Sequence, residues 1–202
     1  MTADDVPDLY PSEPLPVRLM NTVWASRSVA HDSLATVAQL QQWARQCGIR
    51  PATGLTRADL TRARSLRDAL RRLAATVLED RRPNAVRSDW PAGQALDVLN
   101  DFLRTSVPEV VAGDDNSLHR GWHSSATGFD RELVAIALEG SDLLAEGATR
   151  LGVCHGPGCV LYFERQARRE WCSAGCGNRA RVARHYHRHR SGASGEAQAS
   201  DA

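Results

Sequence analysis

Residues 154–179 read CHGPGCVLYFERQARREWCSAGCGNR and hold four of the chain's five cysteines, in the pattern C-x4-C-x12-C-x3-C. A segment this short cannot supply a hydrophobic core of its own, so it needs a cross-link or a metal to stay folded. The two cysteine pairs favour one structural Zn²⁺, with Cys154, Cys159, Cys172 and Cys176 as ligands. Two disulfides or free thiols are the alternative, which a reducing compartment disfavours. Four thiolates fill a tetrahedral shell, so such a zinc would have no open position for catalysis.

The residues between the cysteines predict how this segment folds. Glycines on both sides of Pro157 allow the backbone to turn tightly between the first two cysteines. VLYF, residues 160–163, is typical of a strand, and EWC, residues 170–172, is predicted to be the strand that returns along it. Cys176 would then begin a helix. A turn, a hairpin and a helix that carries the last ligands is the layout of a treble-clef zinc finger.

The chain becomes strongly basic around this segment. Residues 150–190 carry nine Arg against two Glu, a net charge of +7, whereas residues 1–149 have a net charge of −4. A positive segment on a mildly acidic body attracts polyanions, and arginine contacts both phosphates and guanine edges. On a helical wheel one outward stripe holds Gly177, Arg181, Arg184 and Arg188. Together with the arginines of the hairpin turn, Arg165, Arg168 and Arg169, this stripe is the predicted DNA-contacting surface.

The other side of this helix is predicted to pack inward. Val182, Ala183 and Tyr186 would lie against the hairpin and the zinc. We expect three further residues to support the finger structurally: Arg179 by hydrogen bonds to hairpin carbonyls or Glu170, Asn178 as a local cap, and Trp171 by packing. The alternative for the exposed arginines is a solvated helix face without a partner.

Capping patterns and apolar spacing predict four helices before the cysteines. The first begins after Thr36, and the second begins after Thr56 and stops before Pro83. The third spans Pro91 to about Arg104, and the fourth spans about Phe129 to Glu146. The third should bury Leu96, Leu99, Phe102 and Leu103. Residues 107–124, with a Gly-Asp-Asp-Asn turn signal, predict a β-hairpin. The fold class is therefore α+β: a mostly helical domain over 16–149 with a hairpin, a treble-clef-like finger over 150–190, and disordered segments at 1–15 and 191–202.

Several classes of protein are disfavoured by what the sequence lacks. No apolar run approaches about 18 residues, so no membrane span is expected. The first residues are acidic and Pro-rich, unlike a secretory signal, which predicts a cytoplasmic protein. No nucleophile elbow, Gly-rich phosphate loop or H-E-x-x-H motif is present, so we do not expect an enzyme.

Residues 154–190 resemble the CGNR zinc finger, whose name is the tetrapeptide found here as Cys176-Gly177-Asn178-Arg179. Upstream, LMNTVWASRSVAHDSLATVAQLQQWARQCG, residues 19–48, resembles the start of the ABATE domain, which precedes that finger in many bacterial proteins. The resemblance implies a stress-induced transcription regulator whose four cysteines bind zinc and whose finger binds DNA. It implies that the N-terminal domain acts as a sensor, and dimerisation is the other role that we consider for this domain.

Partners are predicted less specifically. Asn21, Thr22 and Asp32 could line a pocket for a small-molecule effector of unknown identity, although polar residues near helix starts are more often caps. One finger is small for sequence-specific binding, which favours a homodimer on DNA. The alternative function is a protein-interaction module whose basic helix docks on an acidic partner. RNA binding is a weaker third hypothesis because few aromatic residues would be exposed for stacking.

Overall fold

The computed structural model describes residue 7 and residues 10–196, without 27, 28, 52, 53, 84, 87, 116 and 167, and describes the backbone alone at 187 and 189–196. The disorder predicted for the first nine residues, apart from residue 7, and for 197–202 lies outside the described residues. Residues 191–196, which were also predicted to be disordered, continue a helix in the described backbone.

Six α-helices lie in the described part of the chain. They are α1 (Leu15–Met20), α2 (Val37–Gln46), α3 (Arg57–Val77), α4 (Ala92–Leu103), α5 (Phe129–Glu146) and α6 (Ala174–Glu196), with a 3₁₀ turn at Gly147–Thr149. The side chains of Thr36 and Thr56 cap α2 and α3 in complete capping boxes, as the sequence predicts.

The strands form three antiparallel pairs among the described residues. They are β1 (Val23–Ser26) with β2 (Val29–Asp32), β3 (Ser106–Ala112) with β4 (Leu118–Ser124), and β5 (Leu151–Val153) with β6 (Tyr162–Glu164). The predicted hairpin at 107–124 is confirmed as β3–β4. The predicted α+β fold with its zinc-finger region is confirmed as well.

The helices of the N-terminal domain pack around one apolar core. Leu70 of α3 and Ile136 of α5 lie at its centre, and Gly140 lets α5 approach Leu70 closely, since a Cβ there would lie 2.7 Å from Leu70 Cδ2. The prediction that α4 buries Leu96 is wrong because that side chain is 49% exposed and only Leu99 and Phe102 of the four are buried. No helix in the described residues is long and apolar enough to span a bilayer.

The finger is built into this core and is not joined to it by a linker. Successive strand residues point to opposite faces, so Tyr162 packs into the N-terminal core while Leu161 and Phe163 pack on the cysteines. The prediction of a returning strand at 170–172 is wrong. β6 pairs instead with β5, which precedes the first cysteine pair in the chain. Unfolding the finger would therefore expose part of the N-terminal core.

Candidate metal centre and nucleic-acid interface

The four cysteines predicted to bind zinc lie together and are buried. Their sulfur atoms are all within 4.8 Å of one another. Cys172 Sγ lies 3.8 Å from Cys159 Sγ and 3.3 Å from Cys176 Sγ. A tetrahedral zinc with Zn–S bonds of about 2.3 Å requires sulfur separations of about 3.8 Å. Four soft ligands at this spacing fit one zinc ion and close its coordination shell.

The first pair of ligands is presented by the turn between β5 and β6. The Cys154 N–H donates to the Leu161 carbonyl at 3.1 Å, and the Cys159 N–H donates to the Gly156 carbonyl at 2.9 Å. A Cβ at Gly156 would lie 3.1 Å from Cys176 Sγ, so a larger residue would intrude on the fourth ligand. The turn thus needs glycine for room at the metal site.

The last ligand lies in the first turn of α6. Ser173 caps this helix, because its Oγ accepts a 3.2 Å hydrogen bond from the Cys176 N–H. The positive end of the helix dipole therefore lies beside a sulfur that carries negative charge when metal is bound. Arg179 Nη2 also lies 2.9 Å from Cys176 Sγ. Arg179 thus contacts the cluster itself, where the sequence predicts hairpin carbonyls or Glu170.

The crowded thiols shift one another's pKa values in opposite directions. Hydrogen bonds from the Cys159 and Cys172 thiols hold the pKa of Cys154 well below its ordinary value. The hydrogen bond with Cys154 raises the pKa of Cys159 to about 12, and the same kind of contact raises the pKa of Cys172. A divalent cation bound by all four sulfur atoms would balance the charge of the thiolates and release their protons.

Arg82 of the N-terminal domain contacts the metal-binding turn. Its Nη1 donates to the carbonyl oxygens of Cys154 at 2.8 Å and Leu161 at 3.1 Å. Its Nη2 lies 2.7 Å from Asp80 Oδ2, and the Tyr162 hydroxyl donates to that carboxylate at 2.9 Å. Sequence reasoning missed Arg82, because only the fold brings residue 82 beside residue 154.

A second contact comes from residues predicted to be disordered. Glu13 is buried, its Oε1 lies 2.5 Å from Arg169 Nη2, and its Oε2 accepts the Glu164 N–H at 2.8 Å. The Tyr10 hydroxyl lies 3.7 Å from Cys172 Sγ, and burial raises the pKa of Tyr10 to about 12. The prediction of disorder is therefore wrong for residues 10–15.

The arginines predicted to contact DNA divide into two groups. Arg181, Arg184 and Arg188 are exposed on α6, and the exposed Arg165 and Arg168 lie in the loop after β6.

Arg169 is partly buried and bonds within the protein instead. It pairs with Glu13, donates to the Cys172 carbonyl at 2.8 Å and lies 4.9 Å above the Phe163 ring. Gly177 is buried, and a Cβ at this position would lie 3.0 Å from Trp171 Cδ1. The outward stripe of α6 therefore begins at Arg181 and not at Gly177. Asn178 is exposed and accepts a 3.2 Å hydrogen bond from Arg181.

The predicted inward face of α6 is not buried. Among the described side chains of α6, Ala180 is the last that is buried. Val182 is 50% exposed and Tyr186 is 66% exposed. The prediction failed because the returning strand on which these residues were to pack does not form. From Arg181 onward α6 projects beyond the finger.

The three candidate pocket residues are used by the protein itself. Asn21 makes two hydrogen bonds with the Tyr162 backbone, its Oδ1 accepting at 3.0 Å and its Nδ2 donating at 2.9 Å. Arg67 approaches Thr22 Oγ1 at 3.4 Å and holds both oxygens of Asp32, the nearer at 2.6 Å. Asn21 thus joins the N-terminal domain to the finger, and Asp32 neutralises a buried arginine.

Two family models match the chain. The ABATE model, described as "Putative stress-induced transcription regulator", matches residues 13–147, and the CGNR zinc finger model matches residues 150–189. No curated protein matches the chain. The resemblance stated from residues 19–48 and 154–190 is confirmed.

Proposed function

Because the chain belongs to the ABATE family and ends in a CGNR zinc finger, we propose that it is a cytoplasmic transcription regulator that binds DNA through the exposed arginines of α6. The observation that carries the proposal is the arrangement of Arg181, Arg184 and Arg188 on one side of the helix, all exposed. The cysteine cluster holds the first turn of that helix, so the arginines project from a fixed base. The proposal assigns binding to the chain and no catalysis.

The charge of the finger is distributed in a way that supports this function. Arg150 pairs with Glu146 and Glu164, and Arg169 pairs with Glu13, so these two cations are neutralised within the protein. The other arginines of the finger whose described side chains are exposed lie on α6 and in the loop after β6: Arg165, Arg168, Arg179, Arg181, Arg184 and Arg188, of which Arg179 contacts Cys176 Sγ. A rigid basic helix of this kind suits phosphate contacts, and its arginines can also read guanine.

The N-terminal domain would control how this helix is presented. Arg71 of α3 is fully buried and donates to the carbonyl oxygens of Met20, Ala85 and Val160, the last in the metal-binding turn. With Arg82, it connects the core of the N-terminal domain to the zinc site. A ligand or stress that shifts this core would therefore change the base of α6. This is the regulatory part of the proposal.

Capture of genomic DNA fragments on the zinc-loaded protein tests the proposal directly. The test variant is Arg181→Ala/Arg184→Ala/Arg188→Ala, and the control is Arg45→Ala/Arg50→Ala/Arg57→Ala, which removes three exposed charges from the N-terminal domain. We expect a defined set of fragments to be enriched by the wild type and the control but not by the test variant. Equal capture by both variants would overturn the assignment of α6, and no enrichment with zinc bound would overturn DNA binding.

The salt dependence of binding gives a second readout. Each phosphate contact contributes about −0.9 to the slope of log K against log salt concentration on duplex DNA. If all three arginines contact phosphates, the α6 variant should have a slope about 2.7 units shallower than the wild type, whereas the control variant should keep the wild-type slope.

One observation favours a second candidate function. Val182 and Tyr186 are exposed one turn apart on the side of α6 away from the arginines, and such a pair suits a protein groove. In that case an acidic protein partner would bind α6. Val182→Ser/Tyr186→Ser should then abolish partner binding, while DNA capture would be absent in the wild type.

A further inference from the structure

The β3–β4 hairpin exposes an unusual amount of apolar surface. Among the described residues, half of the large apolar side chains that are exposed lie in this hairpin: Val107, Val110, Val111, Leu118 and Trp122. Val110 is 75% exposed and Leu118 is 73% exposed. A two-stranded ribbon is marginally stable in water unless further strands or a helix cover it. The apolar side chains of the hairpin are therefore accessible to a partner.

The two edges of the hairpin differ in their capacity to pair. The Gly113 N–H donates to the Ser117 carbonyl and the Ser125 N–H donates to the Thr105 carbonyl. Because hydrogen-bonded and non-hydrogen-bonded pairs alternate along an antiparallel ribbon, these bonds show which residues direct their backbone groups inward, to the other strand, and which direct them outward. Pro108 then lies at an outward position of β3, where it has no N–H to donate. The outer edge of β3 is therefore blocked in the way that proteins protect edges from strand addition.

The outer edge of β4 has no such block. By the same alternation, Leu118, Arg120 and Trp122 direct their backbone N–H and C=O groups away from β3. None of the three is proline, so the edge offers donors and acceptors at every outward position. Strand addition is thus possible on β4.

We infer that β4 pairs antiparallel with β4 of a second copy of this chain, forming a four-stranded sheet across a two-fold axis. The surface is self-complementary, as a two-fold interface requires. The apolar side chains of β4, Leu118 and Trp122, would be covered from one side by β4 of the second copy. The inference does not depend on whether the chain binds DNA.

Charge selects the register of this pairing. Centring the axis on Gly121 places Arg120 opposite Trp122 of the second copy, and within one chain Arg120 already lies 5.8 Å from the Trp122 ring. Centring the axis on Arg120 would oppose two guanidinium groups, which is destabilising. In the Gly121 register the two glycines meet at the pair without hydrogen bonds, where strands approach most closely.

Proline substitution at paired positions tests the inference. Arg120→Pro removes an outward N–H of β4 and leaves its hydrogen bonds with β3, whereas Val110→Pro does the same on the outer edge of β3, directly across from Arg120. Sedimentation equilibrium of the full zinc-loaded chain should show a dimer for the wild type and Val110→Pro and a monomer for Arg120→Pro. A monomeric wild type, or a dimeric Arg120→Pro, would overturn the inference.

Hydrogen exchange in the wild type decides the matter if both proline variants are monomers. The amides of Arg120 and Trp122 should become protected only as protein concentration rises through the dimerisation range, by about tenfold or more. The amides of His119 and Gly121 bond to β3 and should be protected at all concentrations. Rapid exchange of Arg120 and Trp122 at every concentration would show that β4 is not the interface.

Discussion

Arg82 Nη1 donates a 2.8 Å hydrogen bond to the carbonyl oxygen of Cys154, so a residue of the N-terminal domain holds the turn that presents the first cysteine of the cluster. The same nitrogen reaches the Leu161 carbonyl on the far side of that turn. The pair of contacts makes the geometry of the metal site depend on the N-terminal domain. The regulation proposed above would act through this connection.

Substitution of Arg82 should weaken zinc binding without removing a ligand. Arg82→Met should lower zinc affinity by about 10–100-fold, measured by competition with a chromophoric chelator, because residues around a metal site orient its ligands. The zinc affinity of Arg82→Lys should lie between those of the wild type and Arg82→Met, since lysine can keep the ion pair with Asp80 but cannot reach several carbonyls at once. Arg81→Ala is the matched control because Arg81 is exposed. Equal affinity in all four proteins would exclude the role given to Arg82.

Neutralising Glu13 should destabilise the finger more than the same loss of charge at an exposed position does. Glu13→Gln leaves Arg169 without its buried carboxylate and should lower the free energy of unfolding by about 2–3 kcal/mol in urea denaturation. Glu170→Gln makes the same charge change at an exposed position and should cost less than about 0.5 kcal/mol. Similar losses in the two variants would mean that the ion pair of Glu13 has no specific effect.

Removal of one zinc ligand should affect the N-terminal domain as well as the finger. We expect Cys176→Ser to lower the melting temperature of the whole chain and to increase amide exchange around Asn21, because Asn21 bonds to the Tyr162 backbone. Each kcal/mol lost should lower the melting temperature by about 2–4 °C in a chain of this size. Cys47→Ala, outside the cluster, is the control for loss of a thiol. Wild-type exchange near Asn21 in Cys176→Ser would show that the two parts fold independently.

The ion pair between Asp32 and Arg67 should contribute to stability in a pH-dependent way. Burial alone would raise the pKa of Asp32, but the hydrogen bonds and charge of Arg67 outweigh burial and lower this pKa below its ordinary value. A carboxylate with a lowered pKa stabilises the folded state above its unfolded pKa and loses that effect as pH falls through the folded pKa.

Comparison of the wild type with Asp32→Asn measures this contribution. At pH 7 the variant should be less stable by about 2–3 kcal/mol, because it leaves the buried Arg67 with one carboxylate fewer. The difference should be constant from pH 7 to about 5 and shrink below about pH 4. A difference that is the same at pH 3.5 and pH 2.5 would contradict the assigned pKa direction.

Some features could be predicted because their signals are local in sequence. The capping boxes at Thr36 and Thr56 and the turn signal between β3 and β4 each lie within a few residues, and each is found where predicted. The cysteines identify themselves by residue type and spacing, and their sulfur atoms meet. The wheel position of Arg181, Arg184 and Arg188 follows from helical period alone.

Other features depend on which distant segments meet, and these were predicted wrongly or missed. The partner of β6 is β5 rather than residues 170–172, which leaves Val182 and Tyr186 exposed. Arg169 and Gly177 have the residue type and spacing of an outward surface, but Glu13 and Trp171 cover them.

By itself, the sequence therefore determined the metal ligands, the helices α2 to α6 and the basic segment, since period, capping and ligand chemistry act over a few residues, whereas the short α1 was not predicted. Only the tertiary structure decided which arginines remain exposed and which residues hold the zinc site to the N-terminal domain. The physical reason is that burial and ion pairing join residues such as Glu13 and Arg169, or Arg82 and Cys154, whose separation along the chain carries no local signal.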